Sequence, residues 1–189
     1  FLYSLLCDYM KYKLAIIIPF FNAKKHISNN FKICLELTKK FNIQIIYIDN
    51  NSNDNSFNIL KKKIGKNQNI YLKKTKISNS HSPGTARNLG IKFSESNNLL
   101  FLDIDDQLID KNFKKLFFYM SKKKYSFLHL KRVNLSCKNN TKQTFTSYLI
   151  YNKNSLKKFF VKSNNMECIG IIYNKKFLLK NKLFFQGGI

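Results

Sequence analysis

Four apolar runs of strand length, separated by stretches of helical period, constrain this 189-residue chain more than any other feature. "LAIIIPF" (14–20) and "IQIIYID" (43–49) are β-branched and uninterrupted, "NIYLKK" (69–74) is weaker, and "NLLFLD" (98–103) is strong. A strand with one wet face alternates apolar and polar residues, whereas continuous runs suit strands buried on both faces. Helix-like segments lie between them. "HISNNFKICLELTKKF" carries an apolar face of Ile27, Phe31, Cys34, Leu35 and Leu37, with Lys39 and Lys40 in the last turn, where cations suit the helix dipole. "SFNILKKKIG" ends on Gly65 as a C-cap, and "SPGTARNLGIKFSES" places Pro83 where a helix start tolerates it. This alternation predicts an α/β domain built on a mostly parallel sheet with helices on both faces.

Past residue 110 the pattern loosens. "DKNFKKLFFYM" reads as a helix capped by Asp110, "YSFLHLKRV" as a strand, "NSLKKFFVK" as a short helix capped by Asn154, and "IGIIYN" as a further strand. No internal repeat and no Pro/Gly linker interrupts the chain, so a single domain over 14–189 is expected behind a tail at 1–13.

At 44% hydrophobic residues the chain can bury a core, and 34 basic against 10 acidic residues give a formal charge of +24. Such a field favours phosphorylated ligands, anionic membrane surfaces or nucleic acid. Lysine is nevertheless spread everywhere, and the clusters at 61–63, 122–124 and 157–158 follow no stripe, so most of this charge reads as solvated surface. Arg87 and Arg132 are the only arginines. Four cysteines without CxxC spacing indicate neither a zinc site nor a disulfide framework, and a reducing, cytoplasmic setting is expected. No apolar run approaches the ~20 residues of a membrane span. "FLYSLLCDYMKYK" is short and polar for a signal peptide, and both ends of the chain read as cut.

Ligands of parallel sheets bind outside the carboxyl ends of the strands. Asp103, Asp105 and Asp106 follow the fourth run directly. Carboxylates packed this closely repel one another unless a cation sits among them, and hard ions such as Mg²⁺ or Mn²⁺ take oxygen ligands and share them with phosphates. A solvated acidic turn is the plain alternative, but acid is scarce here and its placement favours the cation. Asp49 ends the second run in "IDNNSNDNS" and can accept a hydrogen bond from a ligand N–H, while the Asn and Ser residues turn the chain and cap the next helix. Pro19 and Asn22 in "IPFFN" stop the first strand and expose loop backbone, as an ordinary strand exit also would. Arg87 in "SPGTARNLG" stands where lysine would be the compositional default. Its guanidinium offers planar, bidentate contact to phosphate or a base carbonyl, and Gly84 permits close backbone approach.

Taken together, "AIIIPFFNAKKHI", "IIYIDNNSNDNSFNIL", "SPGTARNLGI" and "NLLFLDIDD" resemble the family 2 glycosyltransferases of GT-A fold, from about Leu14 to Asp110 and more faintly beyond. The resemblance implies a Rossmann-like, mostly parallel sheet with helices on both faces, a nucleotide-binding half at 14–110 and part of an acceptor-side half at 111–189. It implies a transferase of hexosyl type, usually inverting, moving a sugar from a nucleotide-diphosphate donor, UDP-sugar first, to a glycan or lipid-linked acceptor in surface polysaccharide synthesis. The work would be done in the cytoplasm, with the basic face in peripheral contact with anionic lipid at the inner face of the plasma membrane. Carried over by position, Pro19, Phe21, Asn22, Asp49 and Asn50 would line the base and ribose pocket, and Arg87 and Asn88 would support the nucleotide side. Asp103, Ile104 and Asp105 would form the DxD motif on ribose and metal (Mn²⁺ or Mg²⁺), with Asp106 beside them. Many members carry a second Asp where this chain has Asn50, a change that bears on nucleotide preference. The general base that such a transfer needs lies in the family shortly after a stretch resembling "KKFLLKNKLFFQGGI", hence beyond Ile189; Glu167 is a weak candidate within the chain.

Two rivals use the same residues differently. "FLDIDDQLID" is similar to the first motif of haloacid dehalogenase-like phosphatases, but Asp106 and Gln107 replace its Gly and Thr and no later GDxxxD follows. A basic nucleic-acid-binding module would draw on the charge and on the many Tyr and Phe side chains, yet no recognisable motif supports it, and nucleic acid is not expected as a partner.

Overall fold

The two uninterrupted β-branched runs become β1 (Leu14–Phe20) and β2 (Ile43–Asp49), paired in parallel along their whole length and buried at every position. The computed structural model of the chain describes residues 10–76, 82–106, 108, 113–122, 127–130, 148–151 and 171–186. β3 (Ile70–Lys74) joins β2 and β4 (Asn98–Phe101) joins β1, both in parallel. The expected parallel arrangement is thus found in the half that carries the four runs. β5 (Phe127–Leu130), β6 (Tyr148–Tyr151) and β7 (Ile171–Asn174) extend the sheet with antiparallel pairings, in the order β3-β2-β1-β4-β7-β5-β6.

Because successive residues of a strand face opposite ways, an uninterrupted run must have a core on each side. One core gathers Leu14, Ile16, Ile18, Ile43, Ile45, Tyr47 and Leu100 beneath α1 (Lys24–Lys40), α2 (Ser56–Ile64) and α4 (Phe113–Lys122). The other gathers Ala15, Ile17, Ile46, Ile48, Leu99 and Phe101 beneath α3 (Pro83–Phe93) and α5 (Lys175–Lys180). α1 buries Ile27, Phe31, Cys34 and Leu37 as its period requires, and Asn30 and Thr38 with them, while Leu35 is only partly buried. Gly65 closes α2 at φ 54°, and Ser82 caps α3 by accepting the Gly84 N–H at 3.2 Å, with Pro83 in the first turn.

β4 stops at Phe101, two residues short of the apolar run, although Leu102 N–H still donates to the Ile17 carbonyl at 3.0 Å. β6 and α5 have no counterpart among the sequence expectations. The caps at Asp110 and Asn154, with the short helix at 154–162, lie outside the described residues. Among the described residues no helix is long and apolar enough to cross a membrane.

Candidate functional site

The strand order places the reversal of the sheet beside β1, which has β2 on one side and β4 on the other. In such sheets the crevice at the carboxyl ends next to the reversal is where ligands bind. Asp49 at the end of β2 and Asp103 just past β4 therefore flank the exit of β1, roughly 10 Å apart as two interstrand spacings.

The loops leaving β1 and β2 are stitched together. Asn22, in left-handed conformation at φ 48°, receives the Asn53 N–H on its Oδ1 at 2.9 Å, and its own N–H donates to Ser52 Oγ at 3.0 Å. Ala23 N–H donates to Ser56 Oγ, and Lys24 N–H to Asp54 Oδ2, each at 3.0 Å. Asp54 also accepts from the Ser56 N–H and hydroxyl. Burial lifts its carboxyl, but these hydrogen bonds outweigh the effect and hold it below the usual carboxylate range. Sequence reasoning did not single out Asp54. Its signal was local, an acid two residues before a helix-opening serine, and was absorbed into a generic polar turn. An open cavity of about 490 Å³ lies against Asn22, Lys24, Lys25 and Asp54 on the outer side of this junction. Pro19 is buried within β1, and Phe21 beside the junction is 42% exposed.

Asp49 is sealed from solvent. Its Oδ1 accepts the Ser52 N–H at 2.9 Å, while Oδ2 has no hydrogen-bond partner among the described residues and only Lys74 Nζ nearby, at 3.8 Å. A buried carboxylate oxygen without a donor is costly, so the geometry leaves an acceptor to be satisfied. Asn50 differs: its amide donates to the Ser82 carbonyl at 3.3 Å and accepts from Thr75 Oγ1 at 3.2 Å, tying β2, β3 and the start of α3 together.

Beyond β4 the Asp106 N–H donates to the Asp103 carbonyl at 3.0 Å, closing a turn in which Ile104 is buried and Asp105 exposed. Asp103 Oδ1 accepts from Arg87 Nη2 at 3.3 Å. The turn rests on a buried polar group that sequence reasoning missed. Asn30 Nδ2 reaches the Asp106 carbonyl at 3.5 Å, and Asn30 Oδ1 accepts from Tyr47 Oη at 2.7 Å and from Cys34 Sγ at 3.5 Å. Burial pushes the Cys34 thiol up to about 11 and raises the Tyr47 phenol further. The only hint in the sequence was the position of Asn30, three residues after Ile27 on the apolar stripe.

Among the described residues no three His, Cys, Asp or Glu side chains converge on one point, so Asp103, Asp105 and Asp106 do not form a closed cage. One or two carboxylates beside a phosphate suffice for a hard divalent ion that keeps several waters. Exposed Asp105, with partly exposed Asp103, fits that role.

Arg87 and Asn88 sit on α3, and the chain's own residues 183–186 cross over them. Asn88 Nδ2 donates to the Phe185 carbonyl at 3.0 Å, and the Phe185 N–H donates back to Asn88 Oδ1 at 2.9 Å. Ser82 Oγ donates to the Gln186 carbonyl at 3.1 Å. A methyl group on Gly84 would collide with that same carbonyl. The close approach expected at Gly84 is thus made by Gln186. Glu167, the weak candidate for the base, lies outside the described residues.

Residues 15–180 match the model of the family described as glycosyl transferase family 2. An uncharacterised glycosyltransferase of Haemophilus influenzae is 30% identical over 107 residues, 57% of this chain and 42% of that protein. The poly(ribitol-phosphate) β-N-acetylglucosaminyltransferase TarP of Staphylococcus aureus is 34% identical over 110 residues, 57% of this chain and 32% of its own length. The chain therefore spans less than half of these curated relatives. Among solved structures, S. aureus TarS 1–349 in complex with UDP-GlcNAc superposes with a TM-score of 0.69 at 20% identity, covering 92% of this chain and 48% of that one. That likeness shows the GT-A fold, and the match across most of the chain shows that it belongs to glycosyl transferase family 2.

Proposed function

We propose that the chain binds a nucleotide-diphosphate sugar, UDP-linked first, at the carboxyl ends of β1, β2 and β4 and transfers the sugar to a glycan or lipid-linked acceptor of a surface polysaccharide. The observation that carries this reading is the placement of carboxylates on both sides of the exit of β1: sealed Asp49, with one oxygen lacking a donor among the described residues, and Asp103, held by Arg87 beside exposed Asp105. The first suits a base N–H and the second a ribose and diphosphate. Support also comes from relatives named as poly(ribitol-phosphate) transferases and from a TarS structure with UDP-GlcNAc.

In this reading Asp49 Oδ2, sealed in the free chain, is uncovered to accept from the base, with Pro19, Phe21, Asn22 and Asn50 forming the walls of the base and ribose pocket. Arg87 keeps Asp103 oriented toward the ribose. Asp105, with Asp103, would hold a divalent cation, Mn²⁺ or Mg²⁺, which when bound supplies neutralisation of the charge that gathers on the leaving diphosphate. The acceptor hydroxyl attacks the anomeric carbon from the face opposite the diphosphate, which inverts the configuration, and gives its proton to a carboxylate base. The net charge of +24 favours an acceptor that is itself polyanionic, or one held at an anionic lipid surface on the cytoplasmic side.

Calorimetric titration of UDP, with GDP and dTDP as controls, with and without Mn²⁺, tests the reading. Metal-enhanced binding with preference for one nucleotide is expected. Equal, weak and metal-independent binding of all three, lost as salt rises, would overturn it in favour of a basic polyanion-binding module.

A further inference from the structure

Arg87 is oriented by a contact made far away in sequence. Its guanidinium is mostly buried, donates to Asp103 from Nη2, and lies 5.5 Å from the centroid of the Phe185 ring. That ring packs edge-on against Phe101, centroids 4.8 Å apart, two residues before Asp103. Arg87 Nε is buried without a hydrogen-bond partner among the described residues, so the guanidinium is placed by packing on one side and by a single ion pair on the other. What fixes Phe185 is Asn88, the neighbour of Arg87 on α3, through its reciprocal pair of hydrogen bonds to the Phe185 backbone. Ser82 and Gly84 seat the next residue, Gln186.

We propose that residues 183–186 form a strap that positions the donor site, and that Asn88 is a positioning residue which acts through Phe185 and Arg87 on Asp103 instead of touching the nucleotide. Two paired backbone hydrogen bonds fix both position and direction of the strap, as one could not. The Phe185 ring then presents its face to the guanidinium, a cation–π contact strengthened by burial. With its far side closed by the ring, the guanidinium is confined to the Asp103 side. The strap thereby couples the donor carboxylate to residues 183–186. This inference rests on the donor-site reading above for its effect on binding, but the coupling from Asn88 to Arg87 stands independently of it.

The test exploits the arginine count. With Arg87 and Arg132 alone, a ¹⁵N–¹H spectrum holds two arginine Nε–H signals, and Arg87→Lys assigns the one that matters. In the free protein the Arg87 Nε–H should exchange slowly. Asn88→Ala should speed that exchange by at least about tenfold and weaken UDP binding in Mn²⁺ about tenfold, the equivalent of ~1.4 kcal/mol. In an Arg87→Ala background Asn88→Ala should change UDP affinity no further, because its route to the site is gone. Phe185→Leu, which keeps the backbone hydrogen bonds and removes only the ring, should reproduce the faster exchange if Asn88→Ala fails to fold.

Unchanged exchange in folded Asn88→Ala and Phe185→Leu would overturn the strap. So would an equal loss of affinity from Asn88→Ala with and without Arg87, which would place Asn88 on the nucleotide directly. If the wild-type protein binds no nucleotide, the donor-site reading fails, and the exchange rates alone still decide the coupling.

Discussion

Asp54 joins two loops that each carry part of the proposed site, and its role is electrostatic as much as geometric. It accepts from the first N–H of α1 and from the N–H and hydroxyl of Ser56 at the start of α2. Asp54→Ala should cost about 1 kcal/mol, the typical loss for a helix-start acceptor, measured by urea unfolding. Because its folded carboxyl titrates below its unfolded value, the contribution is fully present above the ordinary carboxylate range and is lost as pH falls through the depressed folded value. Stability measured down the acid limb should therefore fall less steeply in Asp54→Asn than in the wild type. Asp105→Asn should reduce UDP affinity in Mn²⁺ to its metal-free level with unfolding unchanged, since Asp105 is exposed; retained metal enhancement would remove Asp105 from the site. Asp49 and Asp103 could be singled out from sequence because an acid at the end of an apolar run stands out in a chain with 10 acids. The contacts of Asn88 could not, because its partner Phe185 is 97 residues away and nothing local announces the pairing.

Among the elements, α3 shows why some spacing rules work. Its residue Gly90 faces β1 so closely that a methyl group would overlap Ile17 Cγ2. Gly90→Ala should cost about 1–3 kcal/mol by overpacking, seen as a lower urea midpoint at constant slope. β1 and β2 were readable because burial on both faces leaves their pattern apolar apart from Gln44 and the terminal Asp49. β6 and α5 were not, being held by neighbours in the sheet and core more than by their own period. Leu102 lies past the last residue of β4 yet stays buried, and its N–H still bonds to β1, which is why the apolar run is longer than the strand.

For the whole molecule the question is what a formal charge of +24 does to binding. Non-specific association with nucleic acid is a counterion effect and weakens steeply with salt, whereas a nucleotide held by a sealed carboxylate and an ion pair depends on salt far less. Duplex DNA should compete with UDP at about 50 mM salt and cease to compete by about 200 mM, with UDP binding in Mn²⁺ persisting. Persistent competition at the higher salt would return the nucleic-acid reading to the front. Finally, three of the four described non-glycine residues with positive φ are asparagines, at positions 22, 51 and 55. Asparagine tolerates that backbone far better than most residues do. A chain with only six glycines can thus use asparagine where a turn asks for handedness alone. It has no such substitute where the demand is for empty space, and the glycines beneath Gln186 and Ile17 therefore mark surfaces that the rest of the sequence must move around.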